Sequence, residues 1–344
     1  MITDDLRFRV AELLLHVPTH QPTVCLRELK RADSGWETDV YLLDYDAGPA
    51  RPRSRHSAAL RVFPNPEAGP RAEREAAVLE GLSRAGYPVP RLLGWGGAEP
   101  PLGLPFVLME RVDGSSMRVA IDSAEDEDRG ALVTLFCRLL FDLHRLPWER
   151  FCPQCAEVPQ DGILSELETS RASLKRLPSG PGEEVLRVLS WFEAHARDVK
   201  PGGLSATHGD YHPDNILLTS AGEPRVIDWS NFAVKDPRFD LGWTILLVSS
   251  YGHPEAREIV LREYQRLSGE QVEDIEYFEA FGAARRLFGV LLSLRHGPEA
   301  LGMHSLAREG MLAYPNHLRA VYGRLSDVTG VRVLEAEDLL SSLG

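Results

Sequence analysis

Long apolar runs are missing from this sequence. The longest, near residues 131–143, is interrupted by Arg138 and Asp142. It predicts a buried helix and excludes a membrane span, which takes about 20 apolar residues. Cysteine is scarce as well, with Cys25, Cys137, Cys152 and Cys155 the four in 344 residues, too few for a disulfide scaffold. Cys152 and Cys155 have metal or redox spacing, but no second pair accompanies them, and a zinc site would have to recruit a distant ligand such as His144. They are expected to be two loop cysteines in a reduced compartment. Positive charge is in deficit: the net charge is −13, which argues against a nucleic-acid surface and is compatible with a cationic substrate, although an acidic surface usually serves solvation alone. There is no internal repeat and no low-complexity tract. Asp4, Asp5 and Arg7 precede the short apolar run at residues 13–15. No secretory signal is visible, and a cytoplasmic protein is expected.

What remains is a globular composition, 43% hydrophobic and 26% charged, long enough for one large or two ordinary domains. The chemistry concentrates in residues 208–228, H-G-D-Y-H-P-D-N-I-L-L-T-S-A-G-E-P-R-V-I-D. His208, Asp210, His212, Asp214 and Asn215 crowd a loop that Gly209 and Pro213 keep out of helix. Residues 216–218 read as a short buried strand, residues 221–224 as a turn, and residues 225–227 as a returning strand that ends at Asp228. Asp210 is a candidate general base, and Asn215 and Asp228 offer oxygen ligands to a hard cation such as magnesium.

The H-G-D-x-x-x-x-N run followed by I-D-W resembles the aminoglycoside phosphotransferase and choline kinase branch of the protein-kinase-like fold; protein kinases carry H-R-D-x-x-x-x-N and D-F-G at the matching places. Gly209 in place of arginine and Trp229 after Asp228 favour the small-molecule branch. The resemblance runs in order over about residues 24–296, and only residues 208–240 are specific. It implies an α+β, bilobal protein-kinase-like fold, with an antiparallel-sheet N-lobe over residues 1–113 that binds nucleotide and a mainly helical C-lobe over residues 114–344 that binds substrate. It also implies an ATP-dependent (or GTP-dependent) O-phosphotransferase with Mg2+ and a small hydroxylated acceptor, with no nucleic-acid or membrane partner. Aminoglycosides, macrolides, amino alcohols and sugars all fit that acceptor class.

Other expected site residues follow from the same resemblance. Residues 32–37 turn between strands at 24–30 and 39–44, and Ser34 and Gly35 would lie over the nucleotide phosphates, where small-residue backbone cradles phosphate. Arg61, in the strand at 57–63, stands where kinases place the lysine that pairs the α and β phosphates. Arginine keeps the charge but differs in reach. A glutamate of the helix at 69–84 would brace it: Glu75 fits R-E-A-x-x-L, and Glu73 is its rival. The strand at 106–112 would be the hinge, with adenine on backbone groups near Glu110 and Val112.

Beyond the hinge the pattern is helical, at 128–146, 163–176, 183–199, 241–250, 257–267 and 272–294, with a last helix at 333–343. Asp240 either caps its helix or holds the site loop from behind. Glu255, Glu258, Glu273, Asp274, Glu276 and Glu279 would attract an amine-bearing acceptor, although amphipathic helices of any acidic protein show such charges. Two rival classes stand beside the small-molecule kinase. A catalytically silent nucleotide-binding protein would have lost the base or a metal ligand, and all three residues are present. A protein kinase is disfavoured by H-G-D, by the missing multi-glycine loop and by the missing A-P-E segment.

Overall fold

The computed structural model describes residues 2–16, 23–32, 38–48, 54–152, 162–177, 180–301, 303 and 307–343. In chain order its regular elements begin α1 (Asp4–His16), β1 (Val24–Arg31), β2 (Asp39–Ala47), β3 (Ser54–Val62), α2 (Gly69–Arg84), β4 (Leu92–Gly96), β5 (Phe106–Glu110) and β6 (Gly114–Ser116). There follow α3 (Met117–Ser123), α4 (Asp126–His144), α5 (Gly162–Lys175), α6 (Glu183–His195), β7 (Ser205–Thr207), β8 (Ile216–Thr219), β9 (Pro224–Val226) and β10 (Ala233–Lys235). The remainder is α7 (Pro237–Ser250), α8 (Ala256–Ser268), α9 (Ile275–His296), α10 (Ala307–Leu312), α11 (Pro315–Thr329) and α12 (Leu334–Ser342). The chain divides into two compact units, Met1–Ser115 with Ile216–Ser230, and Ser116–Asn215 with Asn231–Gly344.

The first unit is built on an antiparallel sheet of order β1-β2-β3-β5-β4. Side chains alternate across a strand, and β3 uses that alternation. Ala58, Leu60 and Val62 join Val10, Leu13 and Leu14 of α1 in one apolar cluster. Arg61 therefore points to the other face, where α2 lies. That helix presents Ala72, Glu75, Ala76, Leu79 and Leu82 as its buried stripe, the three-and-four spacing of an amphipathic helix. A carboxylate in the middle of an apolar stripe needs a cation close by. The β8–β9 hairpin is tied into the same unit. Val226 N–H donates to the Pro88 carbonyl at 2.8 Å, and the Trp229 ring meets Tyr87 edge-on at 5.7 Å.

The second unit is helical apart from the short β7–β10 pair. Its centre is α7, buried almost all round, which is the signature of a core helix. α7 packs on α9 so closely that a Cβ on Gly242 would stand 2.7 Å from the Phe278 carbonyl carbon. α11 packs against α9 and α7. Sequence periodicity gave no helix at α3, α10 or α11, which are short or carry mixed polar and apolar residues. It also ran the hinge strand to residue 112, whereas β5 ends at Glu110. Cys152 is disulfide-bonded, which corrects the expectation of a reduced loop pair; Cys155 lies outside the described residues. No described helix is long and apolar enough to cross a membrane.

Candidate active site

Arg61 is the centre of a charge cluster in the first unit. Its Nη1 lies 3.0 Å from Glu75 Oε1 and 2.8 Å from Asp228 Oδ1. Arg61 is 8% exposed and Glu75 2%, so α2 buries its glutamate against a guanidinium instead of in bare hydrocarbon. Glu73 is exposed. Asp228 has φ 65°, the left-handed region that costs an ordinary residue about 1 kcal/mol or more. The turn is held by Arg61 and by Ser230, whose Oγ donates to Asp228 Oδ1 at 2.9 Å. The Asp228 side chain keeps 38% exposure. At the hinge, Glu110 N–H is taken by the Arg91 carbonyl at 2.9 Å, and Val112 lies past the end of β5. Ser34 and Gly35 lie outside the described residues.

The loop His208–Asn215 lies in the second unit and is pinned from behind by Asp240. The buried Asp240 carboxylate accepts His208 N–H at 2.7 Å and Gly209 N–H at 2.9 Å, and His144 Nε2 stands 3.3 Å from it. Burial alone would raise this carboxyl's pKa. The His144 hydrogen bond, the neighbouring histidines and the His208 backbone N–H outweigh burial and hold the pKa below the ordinary value. Asp236, not Asp240, caps α7, through Arg238 N–H. Gly209 sits at φ 77°, and a Cβ there would lie 2.5 Å from the Asn231 carbonyl oxygen. Only glycine satisfies both the angle and the space.

Asp210 emerges from this loop with its backbone and side chain both fixed. Its N–H donates to His208 Nδ1 at 3.2 Å, and its carbonyl accepts Asn215 Nδ2 at 2.9 Å. Its Oδ1 accepts the Trp243 indole N–H at 2.8 Å, and the side chain is 30% exposed. His212 stands between two carboxylates, 3.9 Å from Asp210 and 3.6 Å from Asp214. The His212 contact, with Arg118 assisting against burial, lowers the Asp214 carboxyl.

Trp243, Arg285 and Arg286 are residues to which sequence reasoning assigned no part. Arg285 Nη1 donates to the Gly209 carbonyl at 2.7 Å, and its guanidinium lies 4.4 Å from the Trp243 ring centroid. The signal for Trp243 was a single polar-tipped ring in an apolar helix, since a buried indole N–H seeks an acceptor.

The Asn215 amide in the second unit and the Asp228 carboxylate in the first are each of the hard-oxygen type that magnesium accepts. The bond from Asn215 Nδ2 to the Asp210 carbonyl leaves the amide oxygen as the atom that could meet a cation. Among the described residues no group of three or more His, Cys, Asp or Glu offers a rival metal site.

The fold recurs among known proteins. Solved structures with the same fold include the GDP complex of aminoglycoside 2′-phosphotransferase-IIIa, 16% identical with a TM-score of 0.62 over 95% of this chain and 100% of that one. The macrolide 2′-phosphotransferase type I is 18% identical, TM-score 0.60, over 94% and 98%. A ternary complex of a thermostable mutant of aminoglycoside phosphotransferase APH(4)-Ia with ADP and hygromycin B is 17% identical, TM-score 0.58, over 90% and 98%. Among curated proteins, the acyl-CoA dehydrogenase family member 10 of Mus musculus is 25% identical over 254 residues, and the chain spans only 23% of that protein's length. The fold is thus protein-kinase-like, with an antiparallel sheet and a helical part. The model of the phosphotransferase enzyme family matches residues 28–278, well over half of the sequence, and the chain belongs to that family.

Proposed function

We propose that this protein transfers the γ-phosphate of ATP or GTP to a hydroxyl group of a small molecule, with residues 1–113 as the nucleotide lobe and residues 114–344 as the catalytic and acceptor lobe. The observation that carries this reading is Asp210 itself, a partly exposed carboxylate whose loop is pinned by Asp240 and whose Oδ1 is aimed by Trp243. Asp210 accepts the acceptor's hydroxyl proton as that oxygen bonds to the γ-phosphorus. The bond from the γ-phosphorus to the β–γ bridging oxygen breaks, and the nucleoside diphosphate leaves. Arg61, braced by Glu75, grips the α and β phosphates, and Ser34 and Gly35 cover them. Backbone groups near Glu110 and Val112 take the base. Asn215 and Asp228 would hold magnesium, which supplies charge to offset what develops on the phosphates. The nucleotides in the related structures, GDP and ADP, support a nucleoside triphosphate as donor.

The deciding experiment is Asp210→Asn, which keeps shape and removes basicity. General-base help is worth roughly a hundredfold to ten-thousandfold in rate, and a kcat loss of that size is expected with nucleotide binding almost unchanged. Turnover near the wild-type rate would remove Asp210 from the chemistry. Nucleotide binding without turnover on any acceptor, in the wild type, would favour the silent nucleotide-binding protein.

A further inference from the structure

Resting on the kinase reading above, we infer that the acceptor meeting Asp210 carries an oxyanion, a carboxylate or a phosphate, beside its reacting hydroxyl, and is not a polyamine. The acceptor-side surroundings of Asp210 in the second unit are cationic and aromatic. Arg285 lies over Trp243, the residue that donates to Asp210, and bonds the loop at Gly209. The neighbouring Arg286 feels the charge of Asp210 and hydrogen-bonds Tyr251. Its Nε donates to His317 Nε2 at 3.0 Å, which leaves His317 Nδ1–H for Ser250 Oγ at 2.8 Å. Arg118 bonds Asp214 in the same region. Arginine stays charged even when burial opposes it, so these guanidiniums present lasting positive charge. Tyr251 stacks on His317 at 4.0 Å and meets Tyr314 edge-on at 5.6 Å. Both tyrosines remain exposed and offer a ring or apolar face to a ligand.

The acidic residues that would have welcomed an amine are committed elsewhere. Glu273 pairs with Lys200, Asp274 with Arg238, and Glu276 with Arg324. Glu279 pairs with Arg257 and Arg324, Glu258 with Arg257, and Glu255 lies 3.6 Å from the His253 ring. A polyamine brought to Asp210 would meet Arg285 and Arg286, with the neighbouring Asp214 already engaged by Arg118 and His212, and like charges brought together repel.

The test uses the full chain with ATP and magnesium, and ADP release as the readout. Its acceptors are a set of matched alcohols bearing a carboxylate, a phosphate ester, no charge or an amine, together with kanamycin. Turnover that depends on Asp210 is expected with an anionic member, and the carboxylate and phosphate arms identify which oxyanion is read. Arg285→Gln should raise KM for that acceptor roughly tenfold to a hundredfold, the worth of a charged hydrogen bond, with nucleotide KM unchanged. Arg286→Lys should retain more of the anion preference than Arg286→Gln. If Arg286→Gln lowers the melting temperature, the Arg285→Gln result decides alone. Asp210-dependent turnover that favours the neutral alcohol, the amine or kanamycin overturns this inference and leaves the kinase reading standing, as does an Arg285→Gln variant with unchanged anion preference. Intact nucleotide binding without turnover on any acceptor overturns both.

Discussion

Asp228 in the first unit is held by a cation, whereas Asp210 in the second is held by an indole N–H and by a loop that another carboxylate pins from behind. The contrast matches the tasks proposed for them. A residue that works among phosphates sits in a charge-balanced cluster with Arg61 and Glu75, where strong Coulomb terms fix geometry. A proposed base needs a fixed direction, and the indole N–H of Trp243 gives Asp210 Oδ1 that direction at 2.8 Å. Buried charge is the scaffold in one place and stands one layer behind the proposed base in the other.

The comparison predicts that the largest stability loss comes from the second unit's hidden carboxylate. Asp240→Asn leaves backbone N–H groups of the loop facing an amide, and a broken buried charge network costs about 3–5 kcal/mol, measurable by urea unfolding. Because Asp240 titrates below its ordinary range when folded, its contribution is complete above the unfolded value and is lost as pH falls through the folded one. The variant should therefore be less acid-sensitive at very low pH than the wild type.

Glu75→Gln tests the first unit. Removing one partner of a buried pair costs up to about 3–5 kcal/mol, and the Arg61–Asp228 contact that remains should bring the loss below that of Asp240→Asn. Nucleotide KM should rise in the same variant. Glu73→Ala, at an exposed position, should leave stability and nucleotide KM alone. If Glu73→Ala weakens nucleotide binding and Glu75→Gln does not, the brace has been assigned to the wrong residue.

A smaller effect concerns His317. Burial first, and then the charge of Arg286, push its pKa down to about 3 from an ordinary 6.5. Below pH 6.5 the unfolded chain takes up a proton that the folded chain refuses, so folding weakens as pH falls toward the folded value. From pH 7 to pH 5 this amounts to about 2 kcal/mol. Unfolding curves of His317→Gln should lack that component; equal acid sensitivity in the two proteins would contradict the neutral His317. Smallest is Trp243→Phe, which deletes one hydrogen bond to Asp210 worth about 1 kcal/mol. A kcat decrease of several-fold with unchanged nucleotide KM is expected, and a kcat equal to wild type would show that Asp210 needs no help from the indole.

Local patterns carried much of this into the sequence. The α2 stripe, the β8–β9 hairpin and the crowded loop at 208–215 are each set by residues close together in the chain, and their periodicity or turn chemistry is readable. Arg61 and Asp228 are 167 positions apart, and no spacing rule joins them; only the family resemblance suggested that both serve one nucleotide. Arg285 and Arg286 were visible as charges on a helix, and nothing local told that Arg285 bonds the Gly209 carbonyl and Arg286 bonds His317 while Glu279 of the same helix pairs with Arg257 and Arg324. His317 escaped for a simpler reason. Its helix begins at Pro315 after a stretch of mixed polarity, and its partners come from α7 and α9.

Gly209 also limits the directions in which this chain can change. The related protein-kinase motif has arginine at that place, and no side chain enters here without displacing the Asn231 carbonyl and forcing an unfavourable backbone angle. At this place a methyl group is already too much, so the turn that carries Asp210 admits one residue type only.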